Sequence, residues 1–220
     1  MKSLQPWALD YFEDKFAKPD PWKYFASPYE RTKYQRQLDI IKDRSPNPQK
    51  ILEIGCAEGA MTLFLAESFK GSKITAIEIS SNAVRRAQEN LEQFEDRIEL
   101  VNADITEYLT KLKENYFDVT IWSESIYYLG ARLSQAAIYD HLSKTVSKMK
   151  AGGLLVTANT LDLPEDIPES AVTKRLLIDC YYVMLSSLTS PISRSTYIEE
   201  KLNRMCEYQI WAFEKRGICG

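Results

Sequence analysis

The chain is expected to fold as an α/β domain on a doubly wound, mostly parallel sheet. Three observations predict this. Apolar strand-like runs alternate with helix-like stretches over residues 50–160, the pattern of right-handed β-α-β crossovers. One run, Ile51, Leu52 and Ile54, opens into the small-residue turn Gly55-x-Ala57-x-Gly59, as a strand covered on both faces does before a ligand-receiving helix. The chemistry-bearing residues Glu78, Asp104, Ser123 and Glu124 all follow strand-like runs, at the strand ends where such sheets bind ligands.

The elements follow in order. Residues 1–27 are dense in aromatics, with Trp7, Tyr11, Phe12, Phe16, Trp22, Tyr24 and Phe25, and are broken by Pro19 and Pro21. Such an arm is expected to dock on the domain. Ser27-Pro28 opens a helix to about Asp43, with Ser27 as N-cap. Its apolar stripe is Tyr34, Leu38 and Ile41, while Tyr29, Lys33 and Arg36 share another face. That face reads either as solvated surface or as a cover over the site, with Lys33 paired to a carboxylate.

The turn Ser45-Pro-Asn-Pro48 precedes the first strand. A helix runs from about Gly59 to Phe69 and Gly71 is expected to end it. Ile74–Ile79 is the second strand, and Ser80 or Ser81 caps the next helix, about Asn82–Phe94. Arg97–Asn102 and Tyr116–Trp122 read as the third and fourth strands. A helix over Leu133–Met149 leads through Gly152-Gly153 to a fifth strand, Leu154–Asn159. Pro164, Pro168, Pro191 and the apolar stretch Leu176–Leu188 suggest an insert with helices of its own, and Tyr208–Glu214 alternates as a last strand. One domain is expected: 1–44 arm and lid helix, 45–160 cofactor-binding core, 161–206 substrate-side insert, 207–220 last strand.

Composition narrows the function. At 220 residues and 45% hydrophobic, the chain can bury a sizeable core. Net charge is −3 and no Lys/Arg run exceeds Arg85-Arg86, so a nucleic-acid partner is not expected. No apolar run approaches the roughly 18 residues of a membrane span, and the N-terminus lacks a signal-like apolar stretch. Cys56, Cys180, Cys206 and Cys219 are scattered, and His141 is the one histidine. Reduced thiols in a cytoplasmic protein without a metal site are therefore expected.

The glycine turn offers backbone N–H groups and a helix N-terminus to a ligand. Glu78 lies 19 residues after Gly59, near the roughly 20-residue offset of a carboxylate that receives ribose hydroxyls. Turn and acid fit NAD as well as S-adenosylmethionine. The dinucleotide pattern G-x-G-x-x-G is not met, because the third small residue comes one position early.

Here the chain resembles the class I S-adenosylmethionine-dependent methyltransferases. The matching pieces are Ile51-Leu-Glu-Ile-Gly-Cys-Ala-Glu-Gly59, Ala76-Ile-Glu-Ile79, Asn102-Ala-Asp-Ile105, Phe117-Asp-Val-Thr-Ile121 and Met149-Lys-Ala-Gly-Gly-Leu-Leu155. The flanks Asp20-Pro-Trp-x-Tyr24, Ser27-x-Tyr29-Glu-x-x-Lys33-Tyr34 and Tyr208-Gln-Ile-Trp-Ala-Phe213 are similar to the NodS-like small-molecule methyltransferases. The resemblance implies a seven-stranded Rossmann-like sheet and S-adenosyl-L-methionine as cofactor. It implies that Glu53, Gly55, Cys56, Ala57 and Gly59 back the methionine part, Glu78 and Ile79 the ribose, and Asp104 and Ile105 the adenine. Ser123 and Glu124 would lie near the sulfonium. An N-terminal helix closes over the cofactor in that group, which points to Tyr29 and Lys33. Ala57 departs from the family, which more often has glycine there.

Methyl transfer is an in-line displacement that depends on positioning. An amine acceptor needs little base catalysis and a hydroxyl needs more. His141, mid-helix, is a poor base. Glu124 is the expected catalytic residue, either holding an ammonium or accepting its proton, against the plainer role of a helix cap. Tyr24, Tyr127 and Tyr128 are expected to line the acceptor pocket. The reading is an N-methyltransferase of a small molecule such as an amino sugar or natural-product intermediate. The alternatives are a small-molecule O-methyltransferase, and an NAD-dependent oxidoreductase or non-catalytic nucleotide-binding module.

Overall fold

The computed structural model describes residues 9–131, 133–161, 169–201 and 203–217. Trp7, Pro164, Pro168 and Cys219 lie outside them. The helices are α1 (Leu9–Lys15), α2 (Pro28–Arg44), α3 (Ala60–Ser68), α4 (Ser81–Leu91), α5 (Ile105–Tyr108), α6 (Gln135–Lys148) and α7 (Glu169–Leu188). The strands are β1 (Lys50–Ile54), β2 (Lys73–Glu78), β3 (Ile98–Asn102), β4 (Phe117–Ile121), β5 (Met149–Leu161), β6 (Ser190–Lys201) and β7 (Arg204–Glu214).

They form one seven-stranded sheet in the order β3-β2-β1-β4-β5-β7-β6. The first five in that order pair in parallel, and the β6–β7 hairpin adds antiparallel pairs. The order reverses between β1 and β4, and such a switch point opens a crevice at the C-terminal strand ends. Two apolar cores cover the sheet. Leu38 and Ile41 of α2 and Leu65 of α3 pack with Ile51, Ile74 and Ile210 on one face. Ile138 and Leu142 of α6 and Ile178, Tyr181 and Leu185 of α7 pack with Leu52, Leu155 and Trp211 on the other.

Several local expectations are corrected. Ser27 has an extended backbone but makes no side-chain cap bond; Pro28 at the first turn presets α2 instead. α3 ends at Ser68 with Phe69 as its C-cap, before Gly71. Of the two expected caps for α4 Ser80 is the one used, accepting from Ala83 N at 3.3 Å. The stretch read as a helical insert holds α7 but also the strand β6, and β7 starts earlier than expected, at Arg204. β6 is an edge strand with Pro191 near its start and polar side chains along its length. It lacks the apolar run of a buried strand, and it forms because β7 supplies its pairing partner.

Candidate functional site

The turn after β1 owes its shape to small residues. Gly55, Ala57 and Gly59 all take left-handed backbone, with φ of 78°, 49° and 86°. A Cβ on Gly55 would lie 2.5 Å from Ser125 Oγ. Ala57 accepts the left-handed conformation at a cost of about 1–2 kcal/mol. Its N–H donates to Glu78 Oε2 at 3.0 Å, so the turn is braced by the acid of the neighbouring strand. Gly59 lines neither cavity; it lets α3 approach Leu91 of α4, where a Cβ would come within 2.8 Å.

A cleft enclosing about 890 Å³, part of it open to solvent, lies over this turn. Its lining includes Gly55, Ala57, Glu78, Ile79, Asp104, Ile105, Ser123, Glu124, Tyr24 and Tyr128. Glu78 also accepts from Ser80 N at 2.9 Å; burial raises its carboxyl pKa, against these hydrogen bonds. Asp104 caps α5, accepting from Thr106 N at 2.9 Å. A second cavity of about 440 Å³ adjoins the first and is lined by Lys33, Glu53 and Cys56 among others. The two meet at Tyr24, Ile54, Gly55, Ala57, Ser123 and Glu124. Burial pushes the Glu53 carboxyl up to about 7, with Thr62 Oγ1 donating to it at 2.7 Å. Burial also raises the Cys56 thiol, as do the nearby Glu53 and Glu78, so it stays protonated and acts as filler.

Glu124 is placed differently from expectation. Its backbone is left-handed, with φ 56°, and its two oxygens receive four donors. These are Lys33 Nζ at 2.5 Å, Thr160 Oγ1, Thr160 N at 3.1 Å and Tyr127 OH at 3.3 Å. Burial would raise its pKa, but the charges of Lys33 and Lys174 and the bonds from Lys33 and Thr160 outweigh it and hold it at about 2. A carboxylate so held is no proton acceptor near neutral pH. Nor does it cap a helix: it ties α2, β5 and the 3-10 turn Ile126–Ala131 together.

Lys33 is buried to 1% exposure between Glu30 and Glu124, at 2.8 and 2.5 Å. Burial alone would lower its pKa; the two carboxylates raise it instead. Tyr29 and Tyr127 line neither cavity. Tyr29 is buried against Tyr208 with its hydroxyl 2.9 Å from Thr160 Oγ1, and Tyr127 donates to Glu124. With Gln37, which accepts from Ser123 Oγ at 2.5 Å, these links tie α2 to the site.

The cover is the segment before it. Phe12, Phe16 and Trp22 line the cleft, residues legible in the sequence only as an aromatic-dense arm. Glu13 accepts from Ser81 N at 2.7 Å and Ser80 Oγ at 3.0 Å at the start of α4. Burial would raise its carboxyl, but these bonds lower it. Arg86 donates to Glu58 at 2.8 Å and to Phe16 O at 2.6 Å, and Glu58 accepts from Asp20 N at 2.9 Å. These partners lie 28 to 70 positions apart, so no local pattern announces them. His141 sits on α6 outside both cavities, its pKa lowered by burial.

A model of the NodS family (nodulation protein S) matches residues 7–158, more than half of the chain. The chain belongs to the nodulation protein S family. It is 29% identical over 116 residues to nodulation protein S of Rhizobium tropici, covering 53% of this chain and 46% of that protein. The chain thus spans about half the length of the curated relatives it matches. The crystal structure of the N-methyltransferase NodS of Bradyrhizobium japonicum WM9 with S-adenosyl-L-homocysteine superposes at TM-score 0.76, with 22% identity over 95% of this chain and 98% of that one. A Haemonchus contortus phosphoethanolamine N-methyltransferase 2 follows at TM-score 0.68, with 16% identity over 96% of this chain and 60% of that one. The chain therefore shares the fold of these two solved proteins.

The lining fits S-adenosylmethionine part by part. Ile79, Ile105, Leu133, Asp104 and Glu78 all line the larger cleft and would hold the nucleoside of that cofactor. In the adjoining cavity Lys33 is already paired with Glu30 and Glu124, and Glu53 would receive the ammonium of an amino acid end.

Proposed function

We propose that the protein is an S-adenosylmethionine-dependent methyltransferase that methylates the nitrogen of a small amine. The observation that carries this reading is the pair of cavities meeting at Ser123 and Glu124, one suited to a nucleoside and the other to an amino acid. Bound S-adenosylmethionine supplies a methyl group on a positively charged sulfur. The chain's own residues do the rest. The aromatic arm excludes water, Glu78 and Asp104 orient the nucleoside, and the braced turn fixes the distance to the acceptor, which is where such a reaction gains its rate.

Nitrogen is favoured over oxygen because Glu124 is saturated with donors and ionised down to about pH 2. A hydroxyl acceptor would need a base that Glu124 does not provide; a neutral amine brings its own lone pair. Two of the solved relatives described above act on nitrogen by name, which supports the same choice. We place helix α7 on the acceptor side, because Lys174 lies 4.1 Å over the Tyr127 ring and its charge acts on Glu124. Residues 9–44 form the cover and wall, and 45–160 the cofactor core.

Calorimetry with S-adenosylmethionine and with NAD tests the cofactor. Binding of the first alone is expected, and binding of NAD alone refutes the reading. Release of S-adenosylhomocysteine is then measured against a panel of amines and phenols, with turnover expected for an amine.

A further inference from the structure

We propose that the Tyr24 hydroxyl faces the reacting end of the cofactor and makes the site prefer S-adenosylmethionine over its demethylated product. The inference rests on the cofactor reading above. Among the described residues before β1, Tyr24 is the one that lines both cavities, so it stands where a nucleoside and an amino acid end would join. That junction is where a sulfonium carries its methyl group.

Three polar side chains occupy the junction, and two are already spent. Ser123 Oγ donates to Gln37 Oε1 at 2.5 Å and accepts from Ala158 N at 3.0 Å. Glu124 receives its four donors. The Tyr24 hydroxyl has no hydrogen-bond partner among the described residues; the backbone N–H of Tyr24 donates to Asp20 Oδ1 at 2.6 Å. A phenol there presents oxygen lone pairs to a positively charged methyl group, whose polarised C–H bonds donate to them. Burial first, then Tyr34, Tyr128, Glu30 and Glu124, raise the Tyr24 pKa, so the group stays a neutral phenol and is not a nucleophile competing for the methyl.

The residue is also held in place. Asp20 has a left-handed backbone, φ 43°, and its carboxylate receives Tyr24 N at 2.6 Å. Asp20 N in turn donates to Glu58 at 2.9 Å, and Glu58 is gripped by Arg86 at 2.8 Å. A run of four residues from α4 to the junction thus positions the hydroxyl before any ligand enters, as a site needs.

The test compares two nucleosides in Tyr24→Phe, which removes one oxygen and keeps the ring. Calorimetry is expected to show S-adenosylmethionine weakened roughly three- to fivefold, the scale of such contacts. S-adenosylhomocysteine, which lacks the methyl, is expected to stay within about twofold. In the same variant the proton resonance of the bound 13C-labelled methyl group is expected to shift upfield. Equal weakening of both nucleosides, or no change in either, overturns the proposal while leaving the cofactor reading intact. A wild-type protein that binds neither nucleoside overturns both.

Discussion

Replacing Lys33 by methionine removes the cation shared by Glu30 and Glu124 while keeping an unbranched side chain of similar length. Both contacts are short, 2.8 and 2.5 Å, and the ammonium is 1% exposed. Removing one partner of such a buried pair costs about 3–5 kcal/mol, because the remaining carboxylate keeps its desolvation penalty without its counter-charge. Linkage gives a figure of the same size. Glu124 titrates at about 2 in the fold against an ordinary 4.5, a displacement worth about 3 kcal/mol to which Lys33 is one contributor. For a domain of this length each kcal/mol moves Tm by about 2–4 °C, so Lys33→Met is expected to lower Tm by roughly 6–20 °C at pH 7. The sign with pH follows. Glu124's contribution is present above pH 4.5 and is lost as pH falls toward 2. The raised Lys33 pKa adds stability that is present below about 10.5 and lost above the folded value. The gap between wild type and variant is therefore widest between about pH 5 and 10 and narrows below 4.5. Thermal unfolding by circular dichroism at pH 3, 5, 7 and 9 measures it. A Tm change under 2 °C at pH 7, or a gap of the same size at pH 3, refutes the argument.

Two further outcomes are expected. Glu53, lifted to about 7 by burial, keeps its proton in the folded chain between pH 4.5 and 7, so folding stability falls across that window by up to about 3 kcal/mol. Glu53→Gln should therefore unfold at higher temperature than wild type at pH 8 and not at pH 4, and should bind S-adenosylmethionine more weakly at pH 8; equal Tm values at pH 8 count against it. Gly55→Ala meets both the left-handed φ of 78° and Ser125 Oγ at 2.5 Å from the new Cβ. A loss of Tm of roughly 5–15 °C with loss of cofactor binding is expected, and normal binding would show that the turn relaxes.

Much of the cofactor half was legible because its determinants are local. Buried parallel strands require apolar runs, the turn at Gly55, Ala57 and Gly59 requires small residues, and Glu78 and Asp104 each sit directly at a strand end. Ser80 as cap and the docked aromatic arm follow from the same kind of reasoning. The strand β6 was not legible: its polar, proline-containing sequence pairs only because β7 is beside it.

The sequence by itself determined the sheet's parallel core, the position of the cleft at the strand ends, and that Glu78, Ile79, Asp104 and Ile105 line it. Only the tertiary structure showed what Glu124 and α2 touch. Glu124 read as a free acid beside an acceptor, but Lys33, 91 positions away, and Thr160, 36 positions away, converge on it. Their charge and hydrogen bonds turn a candidate base into a fixed ionic tie. The same convergence ties α2 to β5 and to Ser123, and leaves Tyr24 as the polar group still open at the junction. Charge, desolvation and hydrogen-bond saturation depend on what surrounds a side chain in space, and a linear pattern does not carry that information.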